Sequence, residues 1–381
     1  MSAYSKDFED FKDKIWLNAA SEGPLPKVSA QSLQESISQK SLPYQLDIPK
    51  FISVPAELKK SIGQLIGVAS KDVILANSAS YGIHLLADGI SWKVGDEIIV
   101  MQNDFPTDIL PWLALERQGV KIIQVPAKNF VMTPEELENH ITPKTKLFCI
   151  SHVHTFTGLV LDIEAFSKIC QDKGVLFVLN ISQSVGNIPI DISKFSVDAV
   201  VAAGYKWLCG PYGTGFAWMT PELRDALNIN RAYWPTVLSE AQLQNEGDLK
   251  FNDSNTARKF DIFGTANFFN FVPFKSSIDY FLDIGIEAVW KYNNSLIDHL
   301  INGLDNLQYE LVSPKQGPAR SCLIVLSHKD KSKNLHVFGQ LKDQGIYAAF
   351  WKGNIRFSPH IYNSFQQIDK ALSVLESAQK V

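Results

Sequence analysis

The sequence predicts an α/β fold: a mostly parallel sheet between helices, followed by a smaller α+β domain. Three observations lead there. Between residues 71 and 220, short apolar runs alternate with segments of helical spacing, the order that builds a parallel sheet. The runs are continuous rather than alternating in polarity, so each strand is expected to be buried on both faces. After about residue 274, strands and helices alternate on a finer scale. The 381 residues suffice for two domains at roughly 100–200 residues each.

In chain order, strands are predicted at 73–76, 97–101, 121–125, 147–153, 175–181 and 197–203. Helices are predicted between them, at 81–90, 109–118, 134–140 and 163–172. The helix at 134 has a clear start: Thr133 as N-cap, Pro134 at the first position, and Glu135 and Glu136 in the first turn. Asp162 caps the helix after it. A mainly helical stretch then runs over 267–307 and includes a helix at 286–301. Strands follow at 309–312, 321–326 and 347–351, with helices at 335–344 and 366–379. The expected division is an N-terminal arm at 1–25, a large domain at 26–274 and a small domain at 275–381.

Composition excludes several classes. Apolar residues make up 45% and charged residues 20%, so the chain is neither disordered nor fibrous. Lys plus Arg is 36 and Asp plus Glu is 40, a net charge of −4, which disfavours binding to nucleic acid through bulk positive charge. Cys149, Cys170, Cys209 and Cys322 show neither a disulfide framework nor zinc-finger spacing. No run reaches a membrane span, and the polar, acidic N-terminus is not that of a signal peptide. A cytoplasmic protein is the expectation.

The segment richest in chemistry is Gly204-Tyr-Lys-Trp-Leu-Cys-Gly-Pro-Tyr-Gly-Thr-Gly215. Lys206 follows a buried strand and precedes a glycine-rich loop, so its amine is placed at the carboxyl end of the sheet, where ligands bind. A desolvated lysine there has a lowered pKa and can form a Schiff base. Alone, it reads more readily as a snorkelling lysine among core aromatics. Upstream, a buried strand ends in polar Asn180 and Gln183, which either face a ligand or cap the next turn. Asn77-Ser-Ala-Ser-Tyr-Gly82 opens a helix after a strand. The N–H groups of Ser78, Ala79 and Ser80 there suit a phosphate, although Ser-Ala-Ser is also an ordinary cap. His152 and His154 lie two apart on a predicted strand, but no third ligand joins them, so no metal is expected.

Together these segments resemble the class V aminotransferase family of pyridoxal-phosphate enzymes, of fold type I, which includes cysteine desulfurases and isopenicillin N epimerase-like proteins. The family motif is a strand ending Asp-x-x-Gln, then Pro-x-Asp, then a Lys-Trp-x-x-Gly-Pro-x-Gly-x-Gly loop. The resemblance extends over nearly the whole chain. It implies a large domain with a mostly parallel seven-stranded sheet and pyridoxal 5′-phosphate in aldimine linkage to Lys206. It also implies that Gln183 meets the cofactor's phenolic oxygen and that Ser78, Ala79 and Ser80 form its phosphate cup. Asp104-Phe-Pro-Thr-Asp-Ile-Leu-Pro-Trp112 is similar to the family's Glu-Phe-Pro-Ser-Asn-x-x-Pro-Trp. Phe105 then stacks on the cofactor ring, though alone it is compatible with a core residue. Ser151-His-Val-His-Thr155 places Thr155 near a cofactor oxygen. Gly353-Asn-Ile-Arg356 makes Arg356 the fork for a substrate carboxylate. Gly264-Thr265-Ala-Asn267 resembles a segment that crosses a dimer interface to the partner's phosphate, and is otherwise a plain turn. Asn18 lies in an arm similar to one lining the substrate entrance.

Two departures from the pattern bear on the cofactor. The family has Asp where Asn180 stands, paired with the protonated ring nitrogen. Asn carries no charge, so an unprotonated nitrogen and a weakened electron sink are expected. Tyr205 replaces a frequent His, and its hydroxyl can still reach the phosphate. No Cys occupies the loop before Arg356 that holds the desulfurase nucleophile, which disfavours desulfurization. The expected function is thus an aminotransferase-like reaction on an α-amino acid or related amine, in a homodimer with shared active sites. Alternatives are an epimerase or lyase of the same fold, or a non-catalytic protein of this fold. A nicotinamide dehydrogenase ranks last, because no GxGxxG follows the first strand.

Overall fold

The computed structural model describes residues 2, 4–127, 131–229, 231–238, 242, 244, 247–248, 256–264 and 267–377. The N-terminal arm contributes β1 (Ile15–Trp16). The central sheet is built from β2 (Val73–Ala76), β3 (Glu97–Met101), β4 (Lys121–Val125), β5 (Thr145–Ser151), β6 (Leu176–Asn180), β7 (Ala199–Ala203) and β8 (Gly215–Met219). Their order is β2–β8–β7–β6–β5–β3–β4. Every pairing is parallel except those of β8, which runs antiparallel to both β2 and β7.

Continuous apolar runs mark two-sided burial in the inner strands but not in the edge strand β4, where Lys121 and Gln124 are exposed and Ile122 and Ile123 are half-buried. Ile98, Val100, Leu147 and Cys149 join the core on one face of the sheet. Ile99, Met101, Phe148 and Ile150 join the core on the other. Phe148 stacks between Phe166 and Phe177, with ring centroids 5.6 and 5.5 Å away. Truncating such a fully buried ring costs about 3–5 kcal/mol.

The helix Pro134–His140 has a full capping box between Thr133 and Glu136, and Asp162 caps Ile163–Lys173 through the Ala165 N–H. Several expectations need correcting, and the helices Lys27–Ser41 and Ile48–Ile66 and the strands Ile15–Trp16 and Asn354–Phe357 were not among the sequence-based elements. Strand β8 is absent from the sequence-based strands, because its short apolar run begins inside the glycine-rich loop. The segment 109–118 is one α-turn, Leu110–Leu113, followed by a 3₁₀ turn, Ala114–Gln118, rather than a single helix. The stretch 347–351 divides at Ala348 between two sheets.

The C-terminal third carries β9 (Tyr309–Leu311), β10 (Ile324–His328), β11 (Ile346–Tyr347), β12 (Ala349–Trp351) and β13 (Asn354–Phe357). A four-stranded antiparallel sheet has the order β12–β13–β10–β9, and β11 pairs in parallel with β1 of the arm. Leu17, Ala19 and Ala20 therefore share a core with Leu296, Leu300, Ile324 and Phe357. Among the described residues, no helix is long and apolar enough to cross a membrane.

Candidate active site

The site is assembled at the carboxyl ends of β5, β6 and β7, where ligands bind in parallel sheets. Ser151 ends β5 and Asn180 ends β6, and the two are register partners. Asp104 anchors the segment after β3: its carboxylate accepts from the N–H of Phe105 at 2.7 Å and of Ser151 at 2.9 Å. This holds the 3₁₀ turn Pro106–Asp108 over the strand ends. Asp108 is fully buried and accepts from Ser151 Oγ at 2.7 Å and Asn180 Nδ2 at 2.8 Å. Burial first, and then the charge of Asp104, raise its pKa well above the carboxylate range.

Lys206 is 7% exposed and lies just beyond β7. Its Nζ sits 5.1 Å from the Phe105 ring centroid. Its pKa is lowered to about 8, by burial first and by the charge of Arg356 second, with Asp108 opposing. The arm clamps the same loop, with the Gly23 N–H donating to the Tyr205 carbonyl at 2.8 Å. A Cβ on Gly23 would lie 2.1 Å from the Lys206 carbonyl oxygen, so only glycine fits. Gln183 sits beside this clamp and donates to the Ala20 carbonyl at 3.0 Å. It also accepts from Trp207 Nε1 at 3.0 Å.

Arg356 reaches the crevice from β13. Its Nη2 donates to Ser21 Oγ at 2.6 Å and Asn18 Oδ1 at 3.3 Å, and its Nη1 to the Thr155 carbonyl at 3.4 Å. Its buried Nε has no partner. Burial lowers its pKa to about 10.

The anion cradle is the start of the helix Ala79–Gly89. Ser78 Oγ accepts from the Tyr81 N–H at 3.3 Å, and Ser80 Oγ lies 3.1 Å from Thr107 Oγ1. A Cβ on Gly215 would come within 2.9 Å of Ser78 Cα, so glycine lets β8 approach the cradle closely. Tyr205 is half-buried, its ring 5.5 Å from that of Tyr212.

The structure thus draws together Lys206, Phe105, Asn180, Arg356, Asn18 and Thr155. Gly264 is exposed in a left-handed turn, and Thr265 lies outside the described residues. The two histidines diverge. His154 contacts Thr157 Oγ1 and the Asn103 carbonyl, whereas His152 Nδ1 is buried without a partner. Asp108, Ser151, Ser182 and Ser21 belong to the site and were not singled out in the sequence. A signal for Asp108 was available in the motif comparison, where it stands in place of the Asn of Glu-Phe-Pro-Ser-Asn.

A buried lysine beside an aromatic face, a helix N-terminus for an anion and an arginine with a free donor form a donor set that fits pyridoxal phosphate. Comparison with known proteins agrees. The sequence pattern of the family described as Aminotransferase class-V matches residues 48–370. The chain is 23% identical to the "Probable cysteine desulfurase" of Methanothermobacter thermautotrophicus, covering 97% of this chain and 96% of the relative. It is 26% identical to "Uncharacterized aminotransferase YcbU" of Bacillus subtilis, covering 82% and 81%. Among solved structures, C-DES with glycine covalently linked to its PLP cofactor superposes with a TM-score of 0.87 at 20% identity, covering 98% of each chain. The apo cysteine desulfurase from Thermococcus onnurineus gives 0.86 at 20% identity, covering 99% and 97%.

Proposed function

The chain belongs to the aminotransferase class-V family, and from that premise we propose that it is an aminotransferase-like enzyme that acts on an α-amino acid or related amine through pyridoxal 5′-phosphate attached at Lys206. When bound, the cofactor supplies an aldehyde that captures amines and a ring that draws electrons from bonds at the substrate's α-carbon. Phe105 would cover one face of that ring, and Ser78, Ala79 and Ser80 would receive its phosphate.

The observation that carries this proposal is the environment of Lys206. Nζ is buried, lies beside Phe105, and has a pKa lowered to about 8. About a tenth of such an amine is neutral at pH 7, enough to take and return a proton. Arg356 offers a substrate carboxylate its remaining donors, while Ser21, Asn18 and Thr155 hold the guanidinium in place. Asn180 brings no charge to the ring nitrogen, so the electron sink is weaker than an Asp would make it.

Relatives named cysteine desulfurase invite a thiol-relay reaction. Two observations support a different chemistry. All four cysteines are buried, Cys149, Cys209 and Cys322 completely. Strands β12 and β13 are joined by the tight turn Lys352–Gly353, both residues at positive φ, with no loop to carry a nucleophile. Elimination or epimerisation needs no such thiol, and a lyase is the second reading, in keeping with the neighbour titled cystine C–S lyase.

A homodimer in the cytoplasm completes the proposal, with each chain divided into arm, large domain and small domain. Phe51, Ile52, Phe263 and Phe269 are exposed apolar side chains that a second copy would cover in this proposal. The free cysteines suit a reducing compartment.

The test is an absorption spectrum of the purified protein before and after borohydride, followed by peptide mapping. A reducible cofactor band and a modified Lys206 peptide are expected; their absence refutes the assignment. A screen of amino acids for ketoacid release then separates transfer from elimination.

A further inference from the structure

Asn180 is held from two sides. The Ser182 N–H can only donate, and it lies 3.0 Å from the Asn180 side chain, so the atom facing it is Oδ1. That turns Nδ2 toward Asp108, which accepts at 2.8 Å. The orientation survives protonation of Asp108, because a carboxylic acid still offers a carbonyl oxygen to Nδ2 and can donate to Ser151 Oγ. Asp108 is itself fixed. Both its oxygens are engaged, Asp104 stands close enough to raise its pKa, and Lys206 is the cation that faces it. One Asn180 N–H is spent on Asp108, and the described residues give the second no partner. Asp108 is fully buried, and Asn180, also buried, ends its strand at the crevice.

We propose that Asp108 and Asn180 form an acid–amide pair in which Asp108 is a positioning residue: it holds the Asn180 amide so that an N–H, rather than an oxygen, meets the cofactor's ring nitrogen and keeps that nitrogen unprotonated. This rests on the placement of the cofactor at Lys206 proposed above. The carboxyl group of the site is not lost with Asn180. It stands one residue further back, at 108, where it orients the amide rather than pairing with the ring.

The pair is interchangeable only as a pair. Asn180→Asp alone puts two carboxyl groups about 2.8 Å apart, and these cannot both ionise. Adding Asp108→Asn restores one acid and one amide with the direction reversed: Asn at 108 donates, and Asp at 180 turns an acceptor to the crevice.

Two measurements test this. The first is the ¹⁵N resonance of labelled pyridoxal phosphate bound to the wild type and to the double exchange. An unprotonated nitrogen is expected in the wild type and a protonated one in the double exchange. The second is the melting midpoint of the cofactor-free proteins. Asn180→Asp is expected to lower it by several degrees, and Asp108→Asn on that background to recover most of the loss. A protonated nitrogen in the bound wild type overturns the proposal, as do additive changes in midpoint. A wild type that binds no cofactor fails the underlying placement instead, and the midpoint cycle still reports on the pair.

Discussion

Lys206 is held in the chain at an energetic cost, and removing its charge should make the cofactor-free protein more stable. The perturbation is Lys206→Met, which keeps the length of the side chain and drops the ammonium. Lowering the pKa from 10.5 to about 8 on folding corresponds to roughly 3 kcal/mol at about 1.4 kcal/mol per unit. The sign follows from proton counting. Below pH 8 the ammonium is charged in both folded and unfolded chains, and the full cost is present. Between pH 8 and 10.5 the unfolded chain binds more protons, so wild-type stability rises with pH. Above 10.5 the amine is neutral in both, and the cost is gone. The lowered value already includes the opposing pull of Asp108, so the net gain near pH 7 is expected at about 3 kcal/mol. Urea midpoints of the cofactor-stripped proteins at pH 7 and pH 10 measure it. The variant should lead at pH 7, and the gap should shrink at pH 10. A wild type as stable as the variant at pH 7, or a gap that does not change with pH, refutes the reasoning.

Two further outcomes are expected. Arg356→Lys loses the planar fork pinned by Ser21 and Asn18, so KM for amino acids should rise roughly 10–100-fold while amines without a carboxylate are unaffected; equal losses for both would show a merely structural role. Cys149, Cys170, Cys209 and Cys322 are buried, with thiols raised in pKa by that burial, so alkylating agents should leave the native protein unlabelled and its turnover intact; a rapidly labelled thiol whose modification abolishes turnover would revive the thiol-relay reaction.

Much of this architecture was legible from the sequence because its signals are local. Strands β2, β3 and β4 have their expected limits, since each is an apolar run bounded by turn residues. The site was legible where residues follow one another along the chain: Lys206 before its glycines, and the Ser78–Ser80 helix start. Asp108 was not, because an acid's partners are set by register, and nothing local says that Ser151 and Asn180 end adjacent strands. The split of 347–351 was hidden for the same reason. Ala348 looks like the middle of one strand until β1, more than 300 residues away, claims Ile346 and Tyr347.

That long-range pairing decides how the crevice is held. Strand β1 joins β11, Leu17 and Ser358 exchange backbone hydrogen bonds with their neighbours, and Ala20 N–H donates to Ser358 Oγ at 3.0 Å. Asn18 and Ser21, which hold Arg356, are therefore fixed to Ser358, just beyond the end of the strand that carries Arg356 itself. Two residues further on, Gly23 is bonded to Tyr205, and the Ala20 carbonyl is bonded to Gln183. The arm thus ties the arginine to the lysine through six residues of chain from Asn18 to Gly23. A change of distance between Arg356 and Lys206 must break the Gly23–Tyr205 or the Ala20–Gln183 bond. Gly23→Ala forces that break without touching either functional side chain, since its Cβ would lie 2.1 Å from the Lys206 carbonyl oxygen and 2.6 Å from Cys209 Sγ. The overpacking should cost about 3 kcal/mol, and KM and the Lys206 titration should shift together. If the variant melts lower but keeps both unchanged, the arm supports the fold without setting the geometry of the site.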